Sequence, residues 1–144
     1  MNTRLSMREL ATYLSGLPAF AGVTVDTIYA TRYMKDVYTA MPAVWIMGQN
    51  ATREDDGRGY SGRARQRMRV QIAIRIVVPR IVENVPDAEP ALTALQNAVS
   101  DALFGWMPDG AEDHFVWVSA SEGRTFDTVV TSVLTFSSTV VFTA

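Results

Sequence analysis

From Gln66 to Pro79 the chain alternates strictly. Met68, Val70, Ile72, Ile74, Ile76 and Val78 fall on one side, and Arg67, Arg69, Gln71, Ala73, Arg75 and Val77 on the other. A period of two is that of a half-buried strand, because successive side chains leave a strand on opposite faces. At about 3.3 Å per residue such a strand is roughly 45 Å long, so part of it is expected to extend past the sheet core as a hairpin arm. Ala43–Gly48 predicts a second strand, opened by Pro42, which cannot donate into a ladder and suits a strand start. Two more strands are predicted at His114–Ala120 and Thr128–Thr143, joined at Glu122-Gly123-Arg124. In the last, Val130, Leu134, Phe136, Val140 and Phe142 share parity, leaving Thr131, Thr135 and Thr139 on the other face. Val23-Thr24-Val25 is a candidate short strand.

Helical spacing appears twice. Met7, Leu10, Ala11 and Leu14 form one apolar face behind the capping box Ser6-Met7-Arg8-Glu9, and Gly16 with Pro18 ends that helix. Leu92, Leu95, Val99, Ala102 and Leu103 form the second face, within a helix over 87–104. Its start at Pro86-Asp87-Ala88-Glu89-Pro90 has acids in the first turn and proline where no amide is needed. Gly105 suits the C′ position, and Trp106 can fold back on the last turn. Residues 27–40 are open between a helix (Ile28, Met34, Val37, Met41) and an extended chain (Tyr29, Tyr33, Tyr38). Residues 49–65 lack an apolar period and read as a loop. These elements predict an α+β fold: a mostly antiparallel four- to five-stranded sheet, two or three helices packed on it, and a long hairpin arm. Residues 1–144 are expected to form one domain, since neighbouring strands usually pair and no linker interrupts them.

The length suffices for one sizeable core, and 48% hydrophobic with 19% charged residues is the balance of a globular chain. No apolar run approaches the roughly 20 residues that span a bilayer, and Met1-Asn2-Thr3-Arg4 leads into no apolar leader. The absence of cysteine removes disulfides and thiolate chemistry and fits a reducing compartment. The net charge of −2 conceals an asymmetry. Arg and Lys are concentrated in residues 1–80, whereas in residues 81–144 Arg124 alone faces the acids. Either copies stack head to tail through opposite charges, or the halves interleave in the fold and cancel.

Candidate chemistry is sparse. His114 follows Asp113, but adjacent strand residues point to opposite faces and rarely form a catalytic pair. Glu54-Asp55-Asp56 lacks the alternation of a calcium loop and reads as a solvated acidic segment. Gly57-Arg58-Gly59-Tyr60-Ser61-Gly62 lacks the Lys-Ser/Thr and the following helix of a phosphate loop. Trp45, Trp106 and Trp117 read as core or interface residues. The arginines stand out: Arg53, Arg58, Arg63, Arg65, Arg67 and Arg69 cluster on the loop and the start of the long strand. Guanidinium groups suit carboxylate or phosphate, so these six are the candidate subunit or partner interface. Contact with DNA and plain solvation are the competing readings.

The order strand, helix, Leu103-Phe104-Gly105-Trp106-Met107-Pro108-Asp109-Gly110 corner, strand, strand resembles the tail terminator proteins of long-tailed bacteriophages. Met41-Pro42-Ala43-Val44-Trp45-Ile46-Met47-Gly48 is similar to the family's Pro-Ala-led strand, 49–65 to its variable charged hairpin, and Arg67–Val78 to its long second hairpin strand. The Ser- and Thr-rich last strand departs from the family pattern. The likeness spans roughly residues 42–142. It implies a virion protein without enzymatic turnover or cofactor. Subunits are expected to assemble in the host cytoplasm into a homo-hexameric ring at the head-proximal end of the tail. That ring would dock on the tail tube protein, end polymerisation and meet a neck or head-completion protein, with possible non-specific contact to DNA in the lumen. Another head–tail connector is the alternative, and a small nucleic-acid-binding module the more distant one.

Overall fold

The alternating segment is the central strand of a five-stranded sheet. The computed structural model describes residues 4–30, 42–54, 65–79, 87–122 and 129–143, with Arg65, Glu122 and Thr143 described by their backbone alone. Its strands are β1 (Thr24–Thr27), β2 (Ala43–Arg53), β3 (Arg65–Pro79), β4 (Val116–Glu122) and β5 (Val129–Thr143), in the order β1-β2-β3-β5-β4. Helices α1 (Met7–Ser15) and α2 (Glu89–Phe104) share one face of it. The fold is the expected α+β one, with a mostly antiparallel sheet.

The core follows the alternation. Val70, Ile72, Ile74, Ile76 and Val78 are fully buried beneath the helices. The register continues that row sideways, pairing Ile46 with Ile74 and Ile74 with Leu134. Burying each such side chain stabilises by about 1.5–3 kcal/mol, so this apolar row fixes which face meets the helices. The Ser6 half of the capping box forms, the Glu9 N–H donating to Ser6 Oγ at 3.2 Å. The Tyr13 hydroxyl donates to the Ala102 carbonyl at 3.2 Å and ties α1 to the last turn of α2. Asp87 Oδ1 accepts the Glu89 N–H at 3.0 Å where α2 begins. Gly105 caps that helix with a right-handed φ of −90°, and Trp106 stacks on Phe115 at 5.4 Å.

The structure corrects four details. First, residues 49–53 belong to β2, paired through to Arg53 opposite Met68, and not to a loop. Their polarity concealed them: Gln49 pairs with Ile72, and its side-chain amide satisfies both backbone groups of Leu5, at 2.7 and 3.0 Å. Second, β1 pairs with β2 in parallel, through the register Thr24 to Ala43. Third, the long hairpin is not a free arm, because β5 flanks β3 from Pro79 opposite Val129 to Arg65 opposite Thr143. Fourth, the other face of the sheet has an apolar cluster of its own, Ala43, Trp45, Val77 and Val129, with Val77 fully buried. Tyr29 belongs to a short helical turn, Ile28–Ala30; residues 31–41 lie outside the described residues.

The serines of β5 are structural. Ser132 Oγ donates to the Ser121 carbonyl at 3.2 Å and accepts Gln96 Nε2 at 2.9 Å, while Ser138 Oγ donates to the Asp113 carbonyl at 2.8 Å. Both are buried, and these bonds offset the desolvation of their hydroxyls.

Candidate subunit interface

Of the six candidate arginines, Arg53, Arg67 and Arg69 are described in full, and Arg67 and Arg69 share the helix-free face of β3. Glu54, just past β2, gathers that corner. Arg69 Nε approaches Glu54 Oε1 at 2.8 Å, Arg67 Nε lies 3.9 Å from Oε2, and the Thr139 hydroxyl donates to Oε2 at 3.2 Å. Arg69 Nη1 also donates to Ser137 Oγ at 3.1 Å, and Arg67 Nη2 lies 2.8 Å from Glu112 Oε2. Arg53 is exposed at the end of β2, Arg65 opens β3, and Arg58 and Arg63 lie outside the described residues. The structure therefore gathers Arg67 and Arg69 around carboxylates of this same chain. Glu54 had read as part of a solvated acidic segment. Its role follows once β2 is extended, since the strand end then lies across from Arg67, whose carbonyl accepts the Glu54 N–H at 3.1 Å.

The strand order decides the larger electrostatic question. β1, β2 and β3 carry the first half of the chain on one side of the sheet, and β5 and β4 carry the second half on the other. Among the described residues the first side has Arg4, Arg8, Arg53, Arg65, Arg67, Arg69 and Arg75 against Glu9, Asp26 and Glu54. The second has Asp87, Glu89, Asp101, Asp109, Glu112, Asp113 and Glu122, with no lysine or arginine. Four strand spacings separate β1 from β4, about 19 Å at ~4.8 Å each. The basic groups of the first side are concentrated on β3, while the β1 edge carries Arg4 and Arg8 against Glu9 and Asp26. The two halves meet along β3 and β5, where Arg67 and Glu112 form an ion pair between them.

A second surface was not singled out from the sequence. Phe104, Met107, Val116, Trp117 and Val118 are large apolar side chains that remain exposed, Trp117 by 52%. Three of them run consecutively through β4, without the alternation of a half-buried strand; that run was the available signal. Trp117 is thus neither core nor covered, whereas Trp45 and Trp106 are buried.

Among the described residues no catalytic geometry assembles around His114; Asp55, Asp56 and residues 57–62 lie outside them. The Asp113 carboxylate accepts the backbone N–H of His114 at 2.8 Å, a local turn, and His114 is exposed. A depression of about 400 Å³ on the helix-free face is lined by Tyr29, Met47, Gln49, Asn50, Gln71 and Thr135, among others, and its lining holds no carboxylate, histidine or lysine. Among the described residues no group of carboxylates and histidine is arranged to hold a metal ion, and no helix is long and apolar enough to cross a membrane.

An α+β subunit with an exposed apolar edge strand is equipped for protein contact. A family model described as phage tail terminator protein matches residues 7–144, and the chain belongs to that family, one of structural phage tail proteins. No curated protein matches the chain.

Proposed function

We propose that the protein forms a closed homo-hexameric ring on the head-proximal end of the phage tail tube, ends tube polymerisation and presents the joining surface for a neck or head-completion protein. Family membership over nearly the whole chain supports the tail role, and the observation that carries the ring is the charge asymmetry between the basic first half of the chain and its acidic second half. A subunit with one basic and one acidic half favours heterologous contacts, which close when the rotation between neighbours allows. Blocking and bridging ask for complementary surfaces and no turnover. The arginine cluster fits protein partners better than DNA: Glu54 and Glu112 offset the charge of Arg67 and Arg69, and so weaken the potential a polyphosphate needs.

The test is electron microscopy of particles made without this protein. Overlong tails without heads, restored to normal length by adding the purified protein, are the expected result. Tails of normal length joined to heads would overturn the proposal.

A further inference from the structure

We propose that the outer edge of β4 is a strand-addition site for an extended segment of a different virion protein, apolar at alternate positions and flanked by lysine or arginine. Phe115 is fully buried and stacked on Trp106, which anchors the start of β4, yet every residue from Val116 to Ser121 is exposed. A strand so exposed gains pairing to β5 and little apolar burial, and still it carries Val116, Trp117 and Val118. β4 pairs with β5 on one side only; among the described residues no strand lies along its outer side. An edge of this kind presents backbone donors and acceptors in a row, and charges or a covering element usually blunt it.

Register decides the form of the partner. Trp117 lies opposite Phe136, whose row faces the helices, and Phe104 at the end of α2 meets that same ring edge-on, with centroids 6.5 Å apart. Val116 lies opposite Ser137, on the helix-free face with Arg69. Directly opposed residues share a face of a sheet, so exposed apolar side chains stand on both faces of this one strand. A helix laid on either face would cover one set and leave the other. A strand added along the edge sends its own side chains alternately to the two faces and borders both sets.

Charge selects among strands. Asp101 lies one turn before Phe104 on α2, Asp109 follows Met107 and Pro108, and Asp113 precedes β4, while residues 87–122 hold no lysine or arginine. Glu112 is nearby but is already paired with Arg67. The complement of this edge is therefore basic. Among its described residues this chain offers no such strand. β4 against β4 would set these carboxylates against themselves, and β1, the other free edge, has Arg4 and Arg8 beside Glu9 and Asp26. Arg65, Arg67 and Arg69 belong to β3, which β2 and β5 enclose on both sides. This inference rests on the proposed function only for the presence of such partners in the particle.

The test is photo-crosslinking in assembled particles, with p-benzoylphenylalanine in place of Val118 or, in a separate variant, of Ser119, so that one reports if the other fails to assemble. The expected product joins this chain to another virion protein, through a segment that mass spectrometry identifies as alternating and flanked by lysine or arginine. Its yield should fall severalfold with Trp117→Ala, and with Asp101→Asn and Asp109→Asn combined. A product joining two copies of this chain would overturn the inference, as would attachment to an acidic segment, a yield indifferent to those substitutions, or no product from either position. The expected product, together with tails of normal length in particles made without this protein, would keep the contact and reject the capping function.

Discussion

Arg67 on β3 and Glu112, ahead of β4, are joined by two contacts, Nη2 at 2.8 Å and Nε at 3.0 Å from one carboxylate oxygen. They come from the two oppositely charged halves, and the pair shows within one molecule the chemistry proposed between neighbours. Both side chains stay exposed, 45% and 41%, so water screens the pair and its worth is below about 1 kcal/mol. Glu112→Gln should therefore shift Tm by no more than about 4 °C in a thermal melt. A larger fall would mean that the corner around Glu54 holds the sheet together.

Ile74 is fully buried between Ile46 and Leu134. Ile74→Ala should cost about 2–5 kcal/mol, and Ile74→Val about 0.5–1.5 kcal/mol. Urea unfolding midpoints will rank the two. An unchanged midpoint for Ile74→Ala would contradict the assignment of the core face.

Gly110 has φ +87°, accepts the Val141 N–H at 2.8 Å, and leaves no room for a Cβ, which would run into the Val141 carbonyl oxygen. Gly110→Ala should cost at least about 1–3 kcal/mol through left-handed backbone strain alone, before the steric clash is added. Denaturant titration measures it, and parent-like stability would rule the close approach out.

Assembly should weaken with salt. Raising ionic strength from 0.1 to 1 M shortens the screening length from about 10 to about 3 Å, which removes attraction between opposite charges of neighbouring subunits but leaves apolar contact intact. Native mass spectrometry or sedimentation across that range should show a falling ring fraction. Association that strengthens with salt would assign the contact to the apolar surface alone.

Charge reversal at Arg58, Arg63 and Arg65 tests the remaining members of the arginine cluster. With these three changed to Glu, Tm should stay near that of the parent while tails become overlong or lack heads in electron micrographs. Normal tails joined to heads would show that this stretch is a solvated surface.

The sequence made β3 legible because six alternating apolar residues leave only one face to bury. The far half of β2 was hidden because a strand pattern reports burial, and Gln49 occupies a core-facing register position by bonding to the Leu5 backbone rather than by being apolar. β1 was obscure because four residues carry little periodicity, and its parallel partner is set by tertiary placement. The arginine cluster was visible as composition, yet its carboxylate partners depended on register: Glu54 lies fifteen positions from Arg69, and Glu112 forty-five from Arg67. The apolar edge was legible in part. Val116-Trp117-Val118 announces itself as a run, but only the strand order reveals that nothing in the described chain covers it.

The pairing of β3 with β5 joins residues made early with residues made late, Arg65 with Thr143 at its extreme. Such a ladder has high contact order, and closing it is slow because the intervening loop entropy must be overcome first. During synthesis one side of β3, whose alternate residues are all apolar from Met68 to Val78, waits without its neighbour until β5 has left the ribosome. The sheet therefore cannot close until β5 has been made. A chain cut short before β5 should aggregate through that waiting edge rather than settle into a smaller fold.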